Sequence, residues 1–429
     1  MNKIKILMLV AESWRSDSAG GNVTDNHFSG MNAEFAQIFT SADLPKNNTC
    51  HKYFQFTDSE IIKNFLLRQP VGNVLDINQI SGKQINAEKN DRKLLDLFRI
   101  LRLNFFYLIK SFIWRYSKWK TPALEKFILD FKPDVIFAPC YPFPFQLALT
   151  RYVKDLTGKK IVSYSSDDNY SLKQFSISPF FWLNRLWNRY CLKKTYSYYD
   201  LIYSMTKTEI DEISLITKKP MKILHKGIEI TPFQKRDINL PIKIIYAGGI
   251  YLDRWKVLAR IGNVLKEINK NDIKIVLDIY TQNSLTKRQH KALNDGSNIF
   301  THSAVEKDQL DILYKNSNIA LHVESFSLKN RLKTRLSFST KIIDCLGSGC
   351  AVIAVAWKGQ GGLKYLKEQN AALCITDLRE IKKQLEYISD NPDYIDLYSK
   401  KAYDCVVKNH DIKKIREDLY YDLLNLCSK

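Results

Sequence analysis

Two doubly wound α/β domains are the fold class this sequence predicts, and three observations predict it. Continuous apolar runs alternate with amphipathic stretches twice along the chain, as buried parallel strands joined by helices do. Each half opens with such a run followed by paired glycines: residues 4–11 before Gly20-Gly21, and residues 242–247 before Gly248-Gly249. A length of 429 residues exceeds one ordinary core, and 45% apolar residues suffice for two.

The first half places further strands at residues 135–138, 160–164 and 201–204. The second places them at residues 273–280, 319–323 and 351–356. Helices are expected at residues 145–155, 255–268, 307–314 and 341–346, where apolar residues recur at helical spacing. The segment 232–241, PFQKRDINLP, is polar and bracketed by prolines, which marks a linker. The expected division is therefore a first domain over residues 1–235 and a second over residues 242–395. C-terminal helices over residues 396–429 are expected to cross back to the first domain. Ligands of open α/β sheets bind beyond the C-terminal strand ends, so the expected site is a cleft between the two domains.

The net charge of +20 calls for an anionic partner: nucleic acid, anionic lipid or a phosphorylated small molecule. No RNP-type motif, helix-turn-helix pattern, KH loop or zinc finger is present, which argues against nucleic acid. The eight cysteines, Cys50, Cys140, Cys191, Cys345, Cys350, Cys374, Cys405 and Cys427, form no CxxC pair. That spacing suits reduced, structural thiols in a cytoplasmic protein. The apolar run at residues 4–11 ends at Glu12, Trp14 and Arg15 with no small-residue cleavage site, which favours a buried strand over a signal peptide. No run reaches the length of a spanning helix.

Two segments depart from the α/β pattern. Residues 97–120 carry six Lys or Arg, eight aromatics and no acid, and residues 180–199 are likewise basic and aromatic without an acid. Such segments suit an anionic membrane surface, where aromatics enter the headgroup region and cations meet lipid phosphate. The alternative is a pair of core-packed helices with snorkelling cations.

The candidate chemistry is concentrated in the second half. Residues 339–354, STKIIDCLGSGCAVIA, read as a helix, a Gly-Ser-Gly corner and a strand. Ser339 and Thr340 are expected to cap the helix, and Lys341 beside the free amides makes a seat for phosphate. Asp344, one turn on, shares its face and suits ribose or sugar hydroxyls. An amphipathic helix with a plain capped start is the alternative. Arg254 and Lys256 follow the Gly248-Gly249 loop, and with Lys341 they supply cations for a diphosphate whose charge grows as its bond breaks. Glu324, after the strand at residues 319–323, is open to a sugar hydroxyl or to a loop role. In the first half Gly20-Gly21 lets backbone approach a ligand or simply turns. Asp167 and Asp168 either orient a ligand hydroxyl, or cap a helix, or simply face solvent. No DxD metal-clamping pair is evident, and no metal is expected.

These elements resemble the family 4 retaining, nucleotide-sugar-dependent glycosyltransferases of GT-B architecture. The resemblance rests on Gly20-Gly21, residues 132–136 (KPDVI), residues 246–249 (YAGG), residues 226–228 (KGI, with Lys226 where the family has Asn) and residues 340–354. It covers nearly the whole chain, most weakly from about residue 45 to residue 125. It implies two Rossmann-like domains facing a cleft, with the nucleotide-sugar on the second and the acceptor on the first. Arg254 and Lys256 then take the basic diphosphate positions, and residues 302–305, including His302 and Val305, meet base and ribose. Asp344 falls on the second acid of the Glu-x7-Glu motif, but eight residues earlier stands Leu336. No His follows the central strand of the first domain, where Ala138-Pro139-Cys140 stands instead.

The resemblance implies a nucleoside-diphosphate sugar as donor, its base open, with no tightly bound cofactor. The acceptor would be a lipid-linked glycan at the cytoplasmic face of the plasma membrane. Two other functions stand beside this one: a nucleotide-sugar 2-epimerase, and a non-catalytic membrane-associated glycan-assembly subunit with a degenerate donor site.

Overall fold

The computed structural model describes residues 3–76 and 104–427. Residues 97–103 of the first basic, aromatic segment lie outside the described residues. The chain divides into one unit of residues 1–224 and 415–429 and a second of residues 225–414.

Eight strands make the sheet of the first unit: β1 (Ile4–Val10), β2 (Ala33–Phe39), β3 (Lys52–Gln55), β4 (Asn73–Leu75), β5 (Val135–Phe137), β6 (Lys160–Ser165), β7 (Leu201–Ser204) and β8 (Met221–Ile223). Their order is β4-β3-β2-β1-β5-β6-β7-β8, parallel except where β4 meets β3. The run at residues 4–10 is the central strand, with Ile6 opposite Phe35 on one side and Val135 on the other. Every residue of β1 but Lys5 is buried, because helices cover both faces of the sheet.

The second unit has six parallel strands: β9 (Ile242–Ala247), β10 (Ile275–Thr281), β11 (Ile299–Ser303), β12 (Ile319–Val323), β13 (Ala351–Val355) and β14 (Leu373–Ile375). The order β11-β10-β9-β12-β13-β14 is the doubly wound 3-2-1-4-5-6 arrangement. Both sheets reverse winding beside their first strand, at β1/β5 and β9/β12, and each reversal opens a crevice beyond the strand ends. The core of the second unit joins these strands to the helices Arg254–Ile268 and Ile381–Asp390 through Leu258, Ile261, Leu265 and Leu385.

The last helix, Ile412–Cys427, buries Leu419 and Leu423 against the first unit's sheet. Asp422 on it accepts hydrogen bonds from the Tyr203 hydroxyl at 2.6 Å and from Lys222. Among the described residues, no helix is long and apolar enough to cross a membrane.

Candidate functional site

The reversal between β9 and β12 puts the Gly248-Gly249 loop and Glu324 at neighbouring strand ends. The Tyr246 hydroxyl donates to the Gly249 carbonyl at 2.7 Å, and the Gly248 amide donates to the Tyr280 carbonyl at 2.9 Å. A Cβ on Gly248 would lie 2.5 Å from Nζ of Lys341. Glycine therefore lets this ammonium close down on the backbone, and the structure brings Gly248 and Lys341 together.

Arg254 begins the helix Arg254–Ile268, and its guanidinium grips both Glu324 oxygens, at 3.1 and 2.7 Å. The carboxylate side chain is 2% exposed. A two-pronged Arg–carboxylate pair of this kind is directional and strong. Burial pushes the Glu324 carboxyl up, and Arg254 opposes that shift. His322 precedes Glu324 by two residues on β12, so both face the same side. Its Nε2 is 3.8 Å from Glu324 and has no hydrogen-bond partner among the described residues. Burial, with Arg254 and Lys341 close by, pulls His322 down to about 3, so the ring is neutral near pH 7.

Lys341 differs from its neighbours. Burial, reinforced by Arg254, pulls its ammonium below the usual lysine range. Among the described residues, no carboxylate lies within ion-pair distance of it. Asp344, one turn on, accepts from Nζ of Lys226 at 2.6 Å. Arg254 is paired with Glu324 and Lys226 with Asp344, and Lys341 beside them has no ion-pair partner among the described residues. An anion completes such a cluster, since a buried charge without a partner is costly.

Several expected site residues sit differently from the sequence reading. Arg254 is occupied by Glu324, and Glu324 is an ion-pair partner within the protein. Lys256 stands apart: its ammonium is 3.0 Å from Asp253 and more than half exposed. Thr340 makes no capping bond, because it has entered the helical conformation itself at the start of the short helix Lys341–Gly347. His302 lies at the end of β11, stacked on Tyr280 at 4.7 Å and bonded to Asp278 at 2.7 Å, with Val305 half-buried just beyond.

In the first unit, Gly20 and Gly21 lie in the first turn of the helix Ala19–Phe28, capped by Ser18. They are helical rather than part of a glycine loop. A Cβ on Gly21 would meet the Arg15 carbonyl at 1.8 Å, so this glycine serves close packing of the chain on itself. Asp167 is exposed after β6. Asp168 is buried, pairs with Arg185 at 2.8 Å and accepts from the Ser171 amide at 2.9 Å, which is the structural role.

Two contributors escaped the sequence reading. Lys226 was visible as a departure from the family's Asn, but its partner was not. His322 was visible as the one titratable side chain in the run IALHV. Among the described residues no group of three or more His, Cys, Asp or Glu has metal-binding geometry.

Residues 262–420 match a family model described as glycosyl transferase-like. Solved structures match over almost the whole length. The chain has the GT-B fold. Anabaena HepE in complex with UDP is 11% identical, with a TM-score of 0.61 over 98% of this chain and 100% of that one. Sucrose-phosphate synthase from Thermosynechococcus elongatus is 11% identical, with a TM-score of 0.60 over 99% and 100%. An α,α-trehalose-phosphate synthase (UDP-forming) from Burkholderia xenovorans in complex with glucose-6-phosphate is 8% identical, with a TM-score of 0.58 over 98% and 100%. No curated protein sequence matches the chain. In this GT-B chain the family match includes His302, Val305, Glu324, Thr340, Lys341 and Asp344, and it begins just after Gly248, Gly249, Arg254 and Lys256.

Proposed function

We propose that this GT-B chain is a retaining glycosyltransferase of the family 4 type that uses a UDP-sugar as donor. The observation that carries the reading is Lys341, an ammonium without an ion pair held against Gly248 at the β9/β12 reversal. The glycosyl transferase-like match over residues 262–420 supports it, as does UDP in a solved structure of the same fold. The donor diphosphate takes the position beside Lys341 and the Gly248 backbone, and Arg254 adds its field while Glu324 holds it in place. In the reaction the bond from the sugar's anomeric carbon to the β-phosphate oxygen breaks. The acceptor oxygen bonds to that carbon on the same face, and its proton passes to the departing phosphate. Negative charge grows on that phosphate, which is where a preorganised cation lowers the barrier. Asp344, held by Lys226, and His302 with Val305 are assigned to the donor's hydroxyls and base.

The proposed acceptor is a lipid-linked glycan at the cytoplasmic membrane face. The helices Asn104–Tyr116 and Pro179–Tyr196 support the membrane part. Phe105, Phe112 and Tyr116 are exposed on one face of the first, and Phe180, Leu183, Leu186 and Tyr190 on the second. Phe105 and Phe180 meet at 5.2 Å and join the two stripes. Neither helix contains an acid, so this apolar face matches an anionic lipid surface. Some of the cations are structural: Lys110 pairs with Asp58 at 2.7 Å, and Arg115 lies 5.2 Å from the Trp187 ring centre.

Release of UDP from a UDP-sugar only when acceptor is present tests the reading. Release without acceptor, or none from any UDP-sugar with membrane-derived glycan acceptors, would contradict it.

A further inference from the structure

The helix Arg254–Ile268 is reached through a strained turn. Leu252 and Asp253 both hold left-handed backbone, with φ of 56° and 63°. Aspartate visits that region with some ease, but a bulky residue such as leucine is an outlier there, at a penalty of about tenfold in population. Backbone strain of this kind persists only where the surroundings over-determine it, and it clusters at functional sites. Asp253 is the N-cap and makes no side-chain capping bond, so its own carboxylate does not hold the helix start.

The hold comes from outside the loop. Asn330, on the short helix Leu328–Lys333 beyond β12, directs Nδ2 to the Leu252 carbonyl at 2.8 Å and the Asp253 carboxylate at 3.1 Å, with the Ser325 hydroxyl at 3.4 Å. Asn330 is buried, where such bonds are electrostatically stronger than in water. At the other end of the loop, the Ile250 amide donates to Oδ1 of Asn283 at 2.9 Å. The residue after the turn is Arg254, whose guanidinium grips Glu324. A turn that left the left-handed region would redirect Arg254 and the Gly248-Gly249 backbone just before it.

We propose that Asn330 is a positioning residue of the donor site: it holds the left-handed Leu252–Asp253 turn, and through it the Arg254 guanidinium and the Gly248-Gly249 backbone at which a nucleoside diphosphate binds. The proposal rests on the donor reading above and deepens it. Asn330 acts through the turn, not by contact with the diphosphate. Leucine at position 252 makes the lock necessary, since glycine adopts left-handed backbone without that penalty.

Calorimetric titration with UDP and amide hydrogen exchange test this on the full chain, for the parent, Asn330→Ala, Leu252→Gly and the two combined. Asn330→Ala should bind UDP about tenfold more weakly and exchange the amides of residues 249–256 about tenfold faster. The combined variant should regain at least ~3-fold of the lost UDP affinity, because glycine removes the strain that Asn330 restrains; a merely structural contact gives no such recovery. Asn330→Asp, of the same size but with no N–H to donate, is a second variant with the same expected direction should Asn330→Ala fail to fold. UDP affinity like the parent's in the Asn330 variants would overturn the proposal, and so would a combined variant that binds no tighter than Asn330→Ala. If the parent binds no UDP, the donor reading fails, and the exchange data alone decide the lock: unchanged exchange at residues 249–256 overturns it.

Discussion

Lys341 and Glu209 show how burial turns an ordinary side chain into one with a task. Lys341 is largely enclosed and without an ion pair among the described residues; burial and Arg254 disfavour its ammonium, and a bound phosphate favours it. Glu209 is 1% exposed and sits where β6 and β7 end, accepting hydroxyl bonds from Ser165 at 2.6 Å and Ser204 at 2.5 Å. Burial pushes its carboxyl up to about 7 from 4.5, against those two bonds and with Asp167 and Asp168 adding to the rise. The folded state therefore holds a proton that the unfolded chain has released between those values. Stability from this group is complete below about pH 4.5 and is lost as pH rises through about 7. Glu209→Gln keeps two hydrogen-bonding atoms and cannot ionise. Urea unfolding should find it more stable than the parent at pH ~8 by about 3 kcal/mol, with no gain at pH ~4.5. Equal stability at both would show that Glu209 is ordinary. The sequence around Glu209 does not reveal its burial, because one of its two hydroxyl partners, Ser165 on β6, lies 44 residues away. Lys341 was legible, since its neighbours Thr340 and Asp344 share its helix. That Arg254 is bound by Glu324, 70 residues on, was not.

At the scale of elements, strands made of a continuous apolar run were legible, even the three-residue β5, and most short or mixed ones were not. β9, β7 and β12 follow from continuous apolar runs. β2 does not show as a continuous apolar run because Glu34 and Gln37 interrupt it, and the buried Gln37 side chain accepts from the Trp14 amide at 3.1 Å and donates to the Glu12 carbonyl at 3.3 Å. β4, β8 and β14 have three residues each, too few for a period to show. The segment 232–241 reads as a polar linker, yet Arg236 donates to the carbonyls of Tyr314 at 2.7 Å, Ser317 at 2.9 Å and Ser348 at 2.6 Å. These carbonyls lie at the ends of the helices Lys307–Lys315 and Lys341–Gly347, where backbone acceptors lack helical partners. Arg236→Ala should cost about 2–4 kcal/mol in chemical denaturation, since several charge-assisted bonds go at once. A change within ~0.5 kcal/mol, typical of a surface site, would show that the segment is loosely held.

For the whole molecule, the net charge of +20 and the joined aromatic stripes of the two acid-free helices point to one surface. Basic and aromatic composition made those helices legible. Which residues face outward was not, and Lys110 proved to be paired with Asp58 within the protein. The apolar face is therefore the part to alter. The combined variant Phe112→Ser, Leu183→Ser, Leu186→Ser and Tyr190→Ser should bind phosphatidylglycerol-containing vesicles at least tenfold more weakly, because each large side chain entering lipid contributes about 1 kcal/mol or more. Equal co-sedimentation with the parent would assign the stripes another role.

If Lys341 receives the leaving diphosphate of a UDP-sugar, as proposed, turnover depends on its ammonium. Acceptor-dependent release of UDP, measured for the parent chain and for Lys341→Met under identical conditions, tests it most directly. The parent should release UDP only with acceptor. The variant should remain folded and turn over more slowly by about 2–4 kcal/mol of lost transition-state stabilisation. Parent-like turnover in Lys341→Met would contradict the account.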